Sequence, residues 1–175
     1  MEQNISVYKR GASDGAIFGI IMIALFFSSI YVIDVPVLIL VTILIMLAVP
    51  FVVYKFLRKH FVQSQGYATF SELWLHGIII FACGSLISGL VAFIFLRWIQ
   101  PDFMIDQMNT IINLYQSIGD DDAEEVAHLL QQMIDNKLVP TAIQSVIQTS
   151  FLCVFTGSIL SMLVALIARS ISIKN

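Results

Sequence analysis

Four long apolar runs, separated by short polar or broken stretches, dominate the chain: Gly15–Ile33, Val35–Tyr54, Gly77–Leu96 and a fourth within Thr141–Ala168, most apolar after Ser150. None of them contains Lys, Arg, Asp or Glu. A membrane-spanning helix needs about 20 mostly apolar residues, since each adds about 1.5 Å against a hydrocarbon core of about 30 Å. Backbone N–H and C=O groups in lipid must be satisfied within the chain, so such runs form helices. The pattern predicts an all-α fold: an integral membrane four-helix bundle, one membrane domain over 1–175, with spans at about 15–33, 36–54, 77–97 and 148–168.

The first two runs are nearly continuous and must be broken. Asp34-Val35-Pro36 is the expected break, with Asp34 as a cap and Pro36 in the first helical turn, where no N–H partner is lost. Lys9 and Arg10 precede the first run, but it is longer than a signal-peptide core and no small-x-small cleavage site follows, so it reads as an uncleaved helix. Thr69-Phe70-Ser71-Glu72 reads as a capping box opening the third helix, and Pro50 predicts a kink in the second.

Between Pro101 and Val139 the pattern changes. Met104, Met108, Ile111, Ile112, Tyr115 and Ile118 recur at helical spacing, as do Val126, Leu129, Leu130, Met133 and Ile134. Gly119-Asp120-Asp121-Asp122 lies between the two sets as a turn and helix cap. Segment 101–138 therefore reads as two amphipathic helices outside the membrane, with Glu124 and Glu125 in the first turn of the second, where the helix dipole favours them.

Composition agrees with a lipid environment. The chain is 58% hydrophobic and only 12% charged, against about 25% charged in soluble domains. A net charge of -3 without a basic stripe argues against nucleic acid as a partner. The placement of charge is more informative. Lys9, Arg10, Lys55, Arg58, Lys59, Arg169 and Lys174 fall on one side of the four spans, and only Arg97 and Lys137 fall on the other. Basic residues near membrane ends stay in the cytoplasm. Both termini are therefore expected there, with an acidic segment 101–138 outside. Lys55, Arg58, Lys59 and His60 suit anionic lipid heads as well as the topology signal. Arg97 and Trp98 read as an interfacial belt at the exit of the third helix.

The candidate residues are few. Cys83 and Cys153 lie at different depths, offset by more than about 10 Å. A disulfide tolerates Cα separations only up to about 7 Å, so two free, buried thiols are expected. Gly11, Gly15 and Gly19 repeat every four residues, as do Gly84 and Ser88, Ser85 and Gly89, and Gly157 and Ser161. Small residues at that spacing let helices approach closely in lipid, within one bundle or between copies, and packing within one bundle is the preferred reading. Asp14, Glu72 and His76 gather at the cytoplasmic edge as a candidate polar site for proton relay or a cation. Against that role, Glu72 already has a cap to make and His76 sits where water is expected to reach it. Gln144, Gln148, Thr149, Thr156, Ser158 and Ser161 form a polar stripe on the fourth helix, suited to hydrogen bonds between helices or to a solute path. No phosphate loop, nucleophile elbow, zinc motif or paired catalytic set is present, so no catalytic residue, cofactor or metal is expected.

Two stretches carry a family likeness: Gly66-Tyr67-Ala68-Thr69-Phe70-Ser71-Glu72-Leu73-Trp74-Leu75-His76-Gly77 and Ile99-Gln100-Pro101-Asp102-Phe103-Met104. With the glycine-rich first helix and the four-run layout, they resemble the uncharacterised bacterial membrane family known as domain of unknown function 4199. The resemblance implies a four-span inner-membrane protein and supplies no activity or catalytic residue. His76 departs from it, standing where a Lys or Arg is more usual. The expectation is a non-enzymatic membrane protein that contacts the bilayer and a protein partner or a second copy. A small oligomeric transporter or channel is the alternative.

Overall fold

The computed structural model describes residues 7–32 and 35–170, apart from the Asp121 side chain. The elements are α1 (Val7–Ile30), α2 (Leu38–Gln63), α3 (Phe70–Ile94) running into a π-helical turn (Phe95–Ile99), α4 (Phe103–Ile118), α5 (Asp121–Asp135) and α6 (Ala142–Ser170). Among the described residues there is no strand. Four stretches, Val7–Ile30, Leu38–Gln63, Phe70–Ile99 and Ala142–Ser170, are helices long and apolar enough to cross a membrane. The fold is all-α and membrane-type, as the hydropathy pattern predicts.

The helices outrun the apolar runs because the end of lipid does not end a helix. α1 begins ahead of Gly15 and carries Lys9, Arg10 and Asp14, and α2 continues past Tyr54 through Lys55, Arg58 and Lys59. The α1–α2 break differs from expectation at Pro36, which precedes the helix. The carbonyls of Val35, Pro36 and Val37 accept from Leu38, Ile39 and Leu40 in a tight i→i+3 turn, and α2 starts at Leu38. The Asp34 cap lies outside the described residues. Pro50 sits inside α2, which runs through it as one helix.

The capping box forms as predicted. Glu72 N–H donates to Thr69 Oγ1 at 3.3 Å, and Thr69 N–H donates to the Glu72 carboxylate at 2.8 Å. A second box opens α6: Thr141 N–H donates to Gln144 Oε1 at 2.9 Å, and Gln144 N–H to Thr141 Oγ1 at 3.4 Å. This is why α6 starts at Ala142, ahead of its most apolar part. Thr69→Ala should destabilise the protein by about 1 kcal/mol, the usual worth of such a cap. Denaturant titration in mixed micelles measures it, and equal midpoints for the two proteins would show that the cap contributes nothing.

The chain divides into two compact units, Met1–Val91 with Gln148–Asn175, and Ala92–Ile147. In the first, the core joins Phe18 of α1, Val53, Leu57 and Phe61 of α2, Leu73, Ile80 and Phe81 of α3, and Val164, Ala165 and Ala168 of α6. Phe18 and Phe81 meet edge to face, their ring centroids 4.9 Å apart. α2 is the outlying helix. Only 6% of its apolar stretch is buried, against 28% to 33% in the other three. Its buried residues, Val53, Leu57, His60 and Phe61, all lie in its second half. The first half is tied to α1 by Thr42 Oγ1 donating to Ser28 Oγ at 3.0 Å.

In the second unit α4 and α5 pack as a helical pair around Ile112, Ala123 and Ala127. Gly119 ends α4 at φ +68°, a left-handed conformation in which a side chain is strained. Asp120 takes the N-cap position of α5 but makes no side-chain cap bond, contrary to the cap expected there. α5 closes with Leu138 N–H donating to the Met133 carbonyl at 2.9 Å while Lys137 adopts φ +56°, a Schellman-type ending without glycine.

Candidate functional site

Glycines on α1 bring a polar cluster together. A side chain at Gly11 would meet Ile79 and the His76 carbonyl, one at Gly15 would meet Cys83 and the Ile80 backbone, and one at Gly19 would meet Ile87 and the Gly84 carbonyl. Gly84 in turn faces Phe18. α1 therefore lies against α3 over two turns, with backbones closer than larger residues allow. Gly157 of α6 faces the Phe81 ring, and Ser161 lies against Gly77. Ser88 differs: it is half-buried and donates to the Ser85 carbonyl of its own helix at 3.3 Å.

The close approach sets Asp14 of α1 beside His76 of α3. His76 Nε2 lies 3.0 Å from Asp14 Oδ2, with side-chain exposures of 0% and 14%. His76 is therefore sealed from water, not reached by it as expected. On its far side the His60 ring of α2 stacks on the His76 ring, with centroids 4.7 Å apart and planes within 5°. His60 Nδ1 is 3.3 Å from Arg10 Nη1. Arginine has donors only, so Arg10 donates and His60 Nδ1 carries the lone pair, leaving the His60 proton on Nε2. The Asp14 carboxylate accepts, so His76 Nε2 carries a proton. His76 Nδ1 is buried and makes no hydrogen bond of ordinary geometry, while the Val7 backbone stands within hydrogen-bonding reach of the ring. The result is a chain of four groups on three helices: Arg10, His60, His76, Asp14.

Glu72 stands apart from this chain: it is exposed and occupied with capping. Arg10 and His60, absent from the expected site, complete it. His60 is 6% exposed and faces inward instead of toward lipid heads. Its spacing from Val53, Leu57 and Phe61 placed it on the buried stripe of α2, and that was the signal available in the sequence. Arg58 also turns inward, donating from Nη1 to the Ala168 carbonyl near the end of α6 at 2.8 Å and lying 5.5 Å from the Phe61 ring centroid. Among the described residues no group of three or more His, Cys, Asp or Glu is placed to hold a metal ion.

The polar residues of α6 do not act as one stripe. Gln148, Thr149 and Thr156 are exposed, and the Thr156 hydroxyl donates to the Leu152 carbonyl of its own helix at 2.8 Å. Ser161 is fully buried, its hydroxyl without a partner. The bond between helices at this level uses backbone instead, Trp74 Nε1 donating to the Ser158 carbonyl at 3.1 Å. Cys83 and Cys153 are free, as expected, but half-buried and not fully enclosed. In the second unit Arg97 and Trp98 fall in the π turn, both exposed.

That unit presents a different surface. α4 leaves Ile111, Leu114 and Ile118 exposed, and α5 leaves Val126, Leu129 and Met133 exposed. Each set has helical spacing of three and four, so each helix carries an outer apolar stripe besides the one it spends on its neighbour. Glu124, Glu125, His128 and Gln131 line an open groove with Gln116.

Four apolar helices whose exposed faces are Ile, Leu, Val, Met and Phe define a multi-pass helical membrane protein. Within that class, the chain belongs to the family described as protein of unknown function (DUF4199), whose family model matches residues 13–170. No curated protein and no solved structure matches the chain.

Proposed function

We propose that this is a non-enzymatic membrane protein that acts by contact, with the α4–α5 pair as its interaction element. One observation carries the reading: both helices expose an apolar stripe at helical spacing, Ile111-Leu114-Ile118 and Val126-Leu129-Met133, after packing on each other. Outside lipid such stripes are costly to leave in water, at about 25 cal/mol per Å², and contiguous ones mark contact sites. Basic residues at the α1 and α2 ends and acidic residues in 101–138 support cytoplasmic termini in a bacterial inner membrane, with this pair on the outer side. Three occupants fit these stripes: a partner protein, the lipid surface and a second copy. The transport alternative rests on the α6 polar residues, of which Gln148, Thr149 and Thr156 are exposed and Ser161 is buried.

Leu114→Glu combined with Leu129→Glu, in the full chain purified from membranes, tests this. The expected result is a smaller particle, loss of co-purifying proteins, or loss of quenching by lipid-borne quenchers of a fluorophore on Ile118→Cys. If particle mass, companions and quenching all match the unaltered stripes, the proposal is wrong.

A further inference from the structure

We propose that Arg10, His60, His76 and Asp14 form a proton-binding clasp that holds the second half of α2 against α1 and α3 at neutral pH and releases it in acid. The argument rests on which atoms have room for a proton. Between Arg10 and His60 the donor is fixed as arginine, so the Nδ1 lone pair of His60 is the contact. A proton placed there removes the acceptor and sets two cations face to face. Between His76 and Asp14 the opposite holds. Nε2 already donates to the carboxylate, and Nδ1 is buried and makes no hydrogen bond of ordinary geometry, so one added proton gives an imidazolium beside a carboxylate 3.0 Å away.

Acid therefore acts in two steps of opposite sense. The first proton, on His76 Nδ1, tightens the α1–α3 contact. The second, on His60, breaks the Arg10 bond and places a cation on the parallel His76 ring, 4.7 Å away and itself now charged. The charged and titratable groups around the two rings are Arg10 and Asp14 from α1 and Glu72 from α3, the last exposed and tied to its cap. On α6, Ser161 lies against Gly77, the residue after His76. Asp14 balances one proton and Glu72 is turned to solvent, so the second proton is the one without a partner. The helix it repels is the one least anchored: α2 buries only Val53, Leu57, His60 and Phe61. Histidine protonation moving a weakly held element is a known form of switch.

The test uses the full chain in lipid nanodiscs, with Cys83 and Cys153 replaced by alanine and spin labels on two pairs of exposed positions. Ala12→Cys with Lys59→Cys reports α1 to α2, and Ala12→Cys with Ser71→Cys reports α1 to α3. Distances are read from about pH 8 down to about pH 3, through and below the imidazole range. The α1–α2 distribution should lengthen by about 5 Å, one helical turn, or broaden to that extent, reversibly, while α1–α3 stays constant. His60→Asn, which accepts from Arg10 but takes no proton, should hold the neutral α1–α2 distance throughout. An unchanged α1–α2 distance in the wild-type background overturns the proposal with no variant required. So does joint movement of both pairs, which is general acid unfolding, and so does an acid response surviving in folded His60→Asn.

Discussion

Gly157→Leu should prevent recovery of a folded protein, the largest single effect expected anywhere in the chain. A Cβ at this position would enter the Phe81 ring itself. Phe81 is 4% exposed and stands edge-on to Phe18, which is 0% exposed, so the ring has nowhere to move without displacing α1. Overpacking a filled core costs about 1–3 kcal/mol for small additions and more when the neighbour is rigid, from a total stability of about 5–15 kcal/mol. Gly157→Ala, which already carries the Cβ that enters the ring, should lose more than the about 1–3 kcal/mol of a small addition, and Gly157→Leu should elute as aggregate on size exclusion in mild detergent. Thr156→Leu, one residue away on the exposed side, supplies the control and should elute as the wild type does. A monodisperse Gly157→Leu protein with wild-type unfolding would mean that α3 and α6 do not meet as described.

The second large effect is expected at His76. His76→Leu preserves apolar bulk but leaves the Asp14 carboxylate without its partner in a site where only 14% of that side chain reaches solvent. Removing the donor from a buried acceptor typically costs about 1–3 kcal/mol, and more when the acceptor is charged, because the carboxylate stays desolvated. The residual exposure of Asp14 places the expected loss near the bottom of that range. Asp14→Leu added to His76→Leu should restore about 0.5–3 kcal/mol relative to the summed single losses, since contacting residues couple by that amount. Reversible unfolding in mixed micelles gives all four corners of the cycle. Strict additivity would show that the 3.0 Å contact carries no energy.

Both effects depend on glycines whose spacing is visible in the sequence, yet the spacing alone left the partner open. Gly11, Gly15 and Gly19 suit a neighbouring helix of the same chain or of another copy equally well. Contact with Ile79, Cys83 and Ile87 places that neighbour on α3. The polar cluster was legible only in part. Asp14 and His76 stand out because a charge and an imidazole beside apolar runs are rare. Arg10 and His60 were hidden, since a basic residue at a membrane edge already has an explanation in topology.

What the sequence determined by itself is the solvent and the secondary structure: four helices for lipid, two amphipathic ones between the third and fourth, and the Thr69–Glu72 cap. These follow from hydropathy, propensity and side chains three or four residues apart, all local quantities. The tertiary structure alone decided how each helix is rotated about its axis. That rotation turns Arg58 and His60 inward, Gln148 and Thr156 outward, and unites Arg10 with His60 and Asp14 with His76, fifty and sixty-two positions apart. A helix that is apolar on every side carries little periodic signal for its orientation, so only close packing against its neighbours, glycine against ring and acid against imidazole, selects one.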